Sequence, residues 1–173
     1  YPAFQQIISH AARIRNRSRG RFFCPLVIRM PYSGGIRALE HHSESMESIF
    51  AHIPGLKVVI PSNPYDAKGL LISAMRDDDP VIFMEPKRVY RAIKQEVPVK
   101  DYVVEIGKAN VVKKGDDVSV VAYGAMLREA ERACDEIEKQ GVSCELIDLR
   151  SVKPIDTETL IKSVKKTGRC VVV

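Results

Sequence analysis

The chain has 173 residues, 45% of them hydrophobic and 28% charged, with Gly 10, Pro 10 and no Trp. That balance excludes a disordered, collagen-like or membrane-embedded polypeptide. The excess of Lys+Arg 27 over Asp+Glu 22 gives +5, too mild to name a partner unless it is clustered.

Pro2 opens a segment with apolar residues at Phe4, Ile7, Ile8, Ala11 and Ile14, one face of a helix that Gly20 ends. Pro25 to Ile28 reads as a short buried strand, and Pro31 to Ser45 as a polar, glycine-bearing loop. Met46 to Ile53 predicts a short helix closed by Pro54-Gly55, with the next strand over Lys57 to Pro61. Asn63 before Pro64 is an N-cap, and Ala67, Leu70, Leu71, Ala74 and Met75 follow the spacing of an amphipathic helix. Asp77-Asp78-Asp79-Pro80 stops that helix, and Val81 to Met84 is another strand. Residues 88–107 are charged, contain Pro98 and lack periodicity, which predicts a linker. Ala109 to Val112 and Val118 to Tyr123 then flank Lys113-Lys114-Gly115-Asp116-Asp117 as the arms of a hairpin would. A helix from Met126 to Lys139 stops at Gly141, a strand spans Ser143 to Leu149, Asp156 caps a helix through Lys165, and Gly168 precedes a terminal strand.

Strands separated by helices predict parallel sheets with right-handed crossovers, hence an α/β fold. The two runs divide as residues 1–90 and 108–173 around a linker at 91–107, neither a complete domain. The opening at Tyr1 and the apolar run Cys170-Val171-Val172-Val173 at the other end lead to the expectation of a fragment of a longer polypeptide.

Cys24, Cys134, Cys144 and Cys170 show no C-x-x-C spacing and sit in apolar stretches, so reduced core residues are expected. The positive charge clusters once, at Arg13, Arg15, Arg17, Arg19 and Arg21; without aromatic interleaving this reads as a solvated surface, and nucleic acid is not an expected partner. No apolar run approaches the ~20 residues of a membrane span, so no membrane partner is expected either. Neither G-x-G-x-x-G nor G-x-x-x-x-G-K-[ST] occurs, and Gly115-Asp116 fits turn chemistry better than a diphosphate site. His10 and His52 read as packing or capping residues. His41-His42 differs, because it lies in the loop Ser33 to Ser45 on the C-terminal side of a predicted strand, where open α/β sheets place ligands. From spacing alone, a solvated loop and a functional one are equally good accounts of it.

The residues Gly34-Gly35-Ile36-Arg37-Ala38-Leu39-Glu40-His41-His42-Ser43-Glu44-Ser45, followed by Phe50-Ala51-His52-Ile53-Pro54-Gly55-Leu56-Lys57-Val58-Val59-Ile60-Pro61, resemble the beta subunit of the thiamine-diphosphate-dependent 2-oxoacid dehydrogenases. The likeness continues through Asp66-Ala67-Lys68-Gly69-Leu70-Leu71, Glu85-Pro86-Lys87 and Glu145-Leu146-Ile147-Asp148-Leu149-Arg150-Ser151-Val152-Lys153-Pro154. The resemblance implies parts of two transketolase-type three-layer α/β domains, a pyrimidine-binding domain and a transketolase C-terminal domain.

It also implies a chemistry in which thiamine diphosphate carries the difficult steps of oxidative decarboxylation, with acyl transfer to a lipoyl group. The partners implied are an alpha subunit, a second beta subunit in an α2β2 heterotetramer, a lipoyl-bearing acyltransferase and a small 2-oxo acid. The family's H-S-x-S histidine matches His42, before Ser43-Glu44-Ser45, as the catalytic candidate. In an extended loop neighbouring side chains alternate, so His41 is expected to face away. The family's cofactor-contacting glutamate and aromatic correspond to positions upstream of Tyr1, and magnesium is held through the alpha subunit. A potassium ion held by some members corresponds to Leu26, in the loop from Cys24 to Val27, with Ala74, Asp77 and Asp79. Glu85-Pro86-Lys87-Arg88-Val89-Tyr90-Arg91 looks closer to the branched-chain group than to pyruvate enzymes. The alternatives are a pyruvate dehydrogenase beta subunit and a noncatalytic assembly module. The location the resemblance implies is cytoplasmic, or the mitochondrial matrix in a eukaryote.

Overall fold

A computed structural model of the chain describes residues 2–173. Its elements run α1 (Phe4–Ser9), a 3-10 turn (Ala11–Arg13), α2 (Ile14–Arg17), β1 (Val27–Tyr32), α3 (Glu47–His52), β2 (Lys57–Val59), α4 (Pro64–Met75) and β3 (Val81–Pro86). After a 3-10 turn (Lys87–Val89) come β4 (Asn110–Lys113), β5 (Val118–Ala122), α5 (Met126–Glu138), β6 (Cys144–Asp148), β7 (Ser151–Lys153), α6 (Thr157–Thr167) and β8 (Cys170–Val172). They form two four-stranded sheets, ordered β1-β3-β2-β7 and β4-β6-β5-β8.

The central pairings are parallel, as alternation of strands and helices requires, but β7 joins β2 and β4 joins β6 antiparallel. The sheets are therefore mixed rather than wholly parallel. Along β2 and β3 successive residues feed opposite cores, as a period of two dictates. Val58, Ile60, Ile82 and Met84 pack with Phe50 and Tyr32 on one face. Val59, Val81 and Phe83 meet Leu70 and Ala74 of α4 on the other. In the second sheet Val120, Ala122 and Leu146 pack on Leu127, Ala130 and Cys134 of α5, while Val121 and Ile147 face Leu160 of α6.

Local signals account for several boundaries. The Asn63 side chain accepts the Asp66 N–H at 2.8 Å, and Pro64 occupies the first turn where its missing donor is harmless. Asp156 Oδ1 accepts the Thr159 N–H at 3.1 Å, and α6 closes on Gly168 with φ 70.

Two expectations are corrected. The N-terminal segment is not one helix but three short pieces, because it bends to lay Ala12 against the turn at Gly55. A Cβ on Gly55 would stand 1.9 Å from the Ala12 carbonyl oxygen. Nor do β4 and β5 form a hairpin: β6 inserts between them, pairing Val111 with Ile147 on one side and Val121 with Ile147 on the other. Gly115 permits this, since a Cβ there would meet the Cys144 backbone at 2.2 Å.

Residues of the expected linker are packed down. Tyr102 and Val104 cover α4 and the first core, the Val104 carbonyl accepts Ser73 Oγ–H at 2.5 Å, and Tyr102 stacks on Tyr65 with centroids 4.5 Å apart. β7 belongs by sequence to the second half yet completes the first sheet. The cysteines are all free; Cys134 and Cys144 are buried, whereas Cys170 is exposed on β8 rather than in a core. His10 and His52 are both exposed. In the arginine cluster Arg13 and Arg21 bond locally to the carbonyls of Ile8 and Ser18, and Arg15 Nη1 reaches Asp79 Oδ2 at 2.8 Å. Among the described residues no helix is long and apolar enough to cross a membrane.

Glycine in a helix interior normally costs about 1 kcal/mol relative to alanine. At Gly69 the sign reverses, because a Cβ would lie 2.5 Å from Val104 Cγ2 and 3.0 Å from the Val104 backbone nitrogen. Gly69→Ala is predicted to lower unfolding free energy by about 1–3 kcal/mol, measured as a fall in the urea midpoint at unchanged slope.

Candidate functional site

The register of the first sheet sets the site. Pro31 pairs with Glu85 and Tyr32 with Pro86, so the loop leaving β1 and the turn leaving β3 emerge side by side at the C-terminal ends of parallel strands. The loop over residues 33–45 is closed on itself: Ser33 N–H donates to Glu44 O at 2.9 Å and Ser43 Oγ–H to Ala38 O at 2.8 Å. From the adjoining turn, Lys87 Nζ donates to the His42 carbonyl. Gly35 packs against Arg88, whose Cδ would lie 2.3 Å from an added Cβ. Arg88 Nη2 in turn donates to Glu129 Oε1 of α5 at 2.8 Å, tying the loop to the second half.

Ser33, Arg37 and His41 adopt left-handed backbone, with φ 74, 57 and 67. Such residues store strain and persist only where surrounding contacts hold them. The premise of an extended loop at His41-His42 is therefore corrected: these residues form a turn in which His42 N–H donates to Leu39 O at 3.2 Å. Both imidazoles are exposed. His41 borders a cavity of about 260 Å³ with Phe4, Tyr32, Met46 and Phe50, which His42 does not line, and the His41 N–H lies 3.3 Å from Glu44 Oε1. His42 stands on the outside of the turn, its carbonyl fixed by Lys87.

Burial, then the charge of Glu47 and the neighbouring Tyr123, raise the Tyr32 phenol far above its usual range, so it stays protonated. Tyr123 donates to Glu47 Oε1 at 3.3 Å. Beside the loop, Gly35, Ile36, Lys87, Arg88 and Arg91 line an open groove of about 660 Å³ that carries three cationic side chains. In a separate pocket that shares Tyr90 with this groove, Arg29 Nε lies 2.5 Å from Glu85 Oε1 and Tyr90 donates to Glu85 Oε2 at 2.7 Å; burial and that bond push the Tyr90 phenol up to about 12. Lys87 and the Glu85 trio are participants that sequence reasoning did not single out. Their signal was the run Glu85 to Arg91, which carries the likeness to the branched-chain group.

Residues 1–93 match the pyrimidine binding domain of transketolase, and residues 107–173 match the transketolase C-terminal domain. The chain belongs to the transketolase pyrimidine-binding family. Over its 173 residues it is 60% identical to the pyruvate dehydrogenase E1 component subunit beta of Acholeplasma laidlawii. It is 53% identical over 172 residues to the 2-oxoisovalerate dehydrogenase subunit beta of Bacillus subtilis (strain 168). These alignments take in 100% and 99% of this chain and 53% of each relative, so the chain spans about half the length of the relatives it matches. A solved split-gene transketolase, described as an inactive beta4 tetramer, superposes with TM-score 0.72 at 26% identity, over 96% of this chain and 54% of that one.

For this transketolase-family chain, thiamine diphosphate would need a diphosphate cradle, and the sequence has neither G-x-G-x-x-G nor G-x-x-x-x-G-K-[ST], while the described residues hold no cluster of three or more His, Cys, Asp or Glu side chains for a metal. The potassium candidates share one region, but their side-chain oxygens are already committed. Lys57 Nζ lies 2.7 Å and 2.6 Å from the two Asp77 oxygens, and Asp79 pairs with Arg15. The carbonyls of Leu26 and Ala74 accept the N–H groups of Val81 at 2.9 Å and Asp77 at 3.3 Å. This arrangement does not fit a cation that relies on those carboxylates.

Lys87→Met removes the donor holding the turn from outside. The expected result is faster amide exchange at His42 and Ser33 with little change in thermal midpoint, read by hydrogen exchange and mass spectrometry.

Proposed function

We propose that the chain is part of the beta subunit of a 2-oxoacid dehydrogenase, working with an alpha subunit, a second beta subunit and a lipoyl-bearing acyltransferase, with thiamine diphosphate at the subunit interface. The observation that supports this reading is the turn at the strand ends, where Lys87 holds the His42 carbonyl while His42 itself stays exposed. Held that way, the ring has no packing duty and is available to give or take a proton. When bound, the cofactor supplies the carbanion chemistry. His42 would move the proton that accompanies opening of the lipoyl disulfide as the acyl group reaches sulfur. Lys87, Arg88 and Arg91 would draw an anionic 2-oxo acid along the groove.

The 60% relative named as a pyruvate enzyme supports pyruvate as substrate, and the run Glu85 to Arg91 supports a branched-chain acid. Turnover of 3-methyl-2-oxopentanoate against pyruvate by the assembled complex separates them. A noncatalytic assembly role for the isolated chain is a second reading, favoured by the absent phosphate loop; tight thiamine diphosphate binding without an alpha subunit contradicts it.

In the assembled complex, His42→Ala is expected to slow lipoyl acylation about 10²–10⁴-fold while the thermal midpoint stays near that of the parent. Equal loss of stability and activity would mark a structural histidine instead.

A further inference from the structure

Away from the loop, the corner where the chain passes from β6 to β7 gathers unpaired polar atoms. Among the described residues, Ser62 Oγ, Asp148 Oδ2 and Arg150 Nε are buried side-chain atoms with no hydrogen-bond partner, and Ser62, Asp66 and Arg150 all act on the Asp148 carboxyl. Ser62 is 1% exposed, and Asp66 and Asp148 are 0% exposed. Arg150 Nη2 is ion-paired with Asp66 Oδ1 at 2.7 Å, Asn63 Nδ2 donates to Asp66 Oδ2 at 2.7 Å, and the Arg150 N–H donates to Asp148 Oδ1 at 3.1 Å. Asp66 is thus served by a cation and an amide, whereas the Asp148 carboxyl has only the Arg150 N–H and the neighbouring Ser62 hydroxyl.

The charge balance is equally one-sided. Two fully buried carboxylates share a single guanidinium, so with both ionised the corner holds one net negative charge out of reach of water. A buried carboxylate in that position is neutralised more cheaply by a proton than by staying charged. The groups facing Asp148 are few. Across the sheet its register partners are Asn110 of β4 and Ala122 of β5, and from the first half it meets Ser62 and Asp66. From its own corner it meets Arg150.

We propose that Asp148 is carried as the neutral carboxylic acid in the folded chain, its Oδ2 proton directed to Ser62, and that this proton closes the seam between the two sheets. The proton removes the uncompensated buried charge and lets the carboxyl donate toward the Ser62 hydroxyl. Burial first, and the Asp66 charge in addition, push the Asp148 carboxyl up to about 7, against the lowering influence of Ser62, the Arg150 N–H and the Arg150 charge. In the unfolded chain the same group has its ordinary value of 3.8. Between about pH 4 and 7 the folded state therefore keeps a proton that the unfolded state has released. The stabilisation from it is full below that window, falls as pH rises through it and is gone above about 7. Over the window the folding constant drops on the order of a thousandfold.

The test uses the 173-residue chain with ¹³C-carboxyl-labelled aspartate. NMR of the folded wild type should show the Asp148 carboxyl titrating near pH 7. Urea unfolding at pH 5.5 and 8 should show wild type losing stability relative to Asp148→Asn as pH rises, with amide exchange at Ile60, whose N–H donates to Arg150 O at 2.8 Å, quickening in wild type relative to the variant. If the variant does not fold, the wild-type titration alone decides. A midpoint near 4 for Asp148, a midpoint near 7 at Asp66 instead, or parallel pH dependence in wild type and variant overturns the proposal.

Discussion

The passage of the chain from one sheet to the other at Leu149 and Arg150 is the constraint on which the rest depends. Asp148 is still in register with Ala122 in the second sheet, and Ser151 is already opposite Val59 in the first. Only two residues separate those pairings, and Arg150 makes the turn with φ 57, a left-handed conformation that costs on the order of 1–3 kcal/mol for a residue with a side chain. That cost is offset locally: the Arg150 carbonyl accepts the Ile60 N–H, and its guanidinium meets a fully buried Asp66. Removing one partner of such a pair would leave an uncompensated charge inside the protein, the most damaging change the corner could suffer. Around this turn the halves are fitted rather than merely tethered. Gly124 sits where a Cβ would stand 2.8 Å from the Tyr32 hydroxyl, and Lys153 Nζ donates to the carbonyls of Ala51 and Ile53. Burial holds the Lys153 ammonium below the usual lysine range.

The same corner fixes the frame on which the candidate site rests. β1 and β3 project their following loops in parallel because β3 is clamped between β1 and β2, and β2 is closed off by β7. The strained residues Ser33, Arg37 and His41 therefore hang from a rigid edge rather than a mobile one. Lys87 and Arg88, adjacent in sequence, split their duties: one reaches the His42 carbonyl, the other reaches α5. The loop is thereby tied to both halves of the chain.

Much of this was legible in the residues. The spacing of Leu70, Leu71 and Ala74, the cap at Asn63 and the glycine at 168 located α4 and α6 because those signals act within a turn or two of chain. The loop after β1 was recognisable as a candidate site because strand ends and histidines are local features too. What the residues did not disclose were the long-range choices. A hairpin between β4 and β5 satisfies every local rule, yet Gly115 instead lets β6 pass between them. Periodicity in Phe4 to Ile14 could not show that Ala12 must meet Gly55 and break the helix. Alternation of neighbouring side chains was the wrong rule at His41, because it assumed extended backbone where φ is 67. Ser151 to Lys153 carried no mark that it would desert its own half for the first sheet.

That desertion has a consequence for synthesis. Val59 of β2 leaves the ribosome roughly ninety residues before Ser151, the residue that pairs with it. At about 5–20 residues per second, the edge of β2 stays uncovered for about 5–20 s. An unpaired strand edge bearing Val58 and Val59 is a template for other nascent chains. The interval before β7 arrives is therefore when this polypeptide is most exposed to aggregation and most in need of a chaperone.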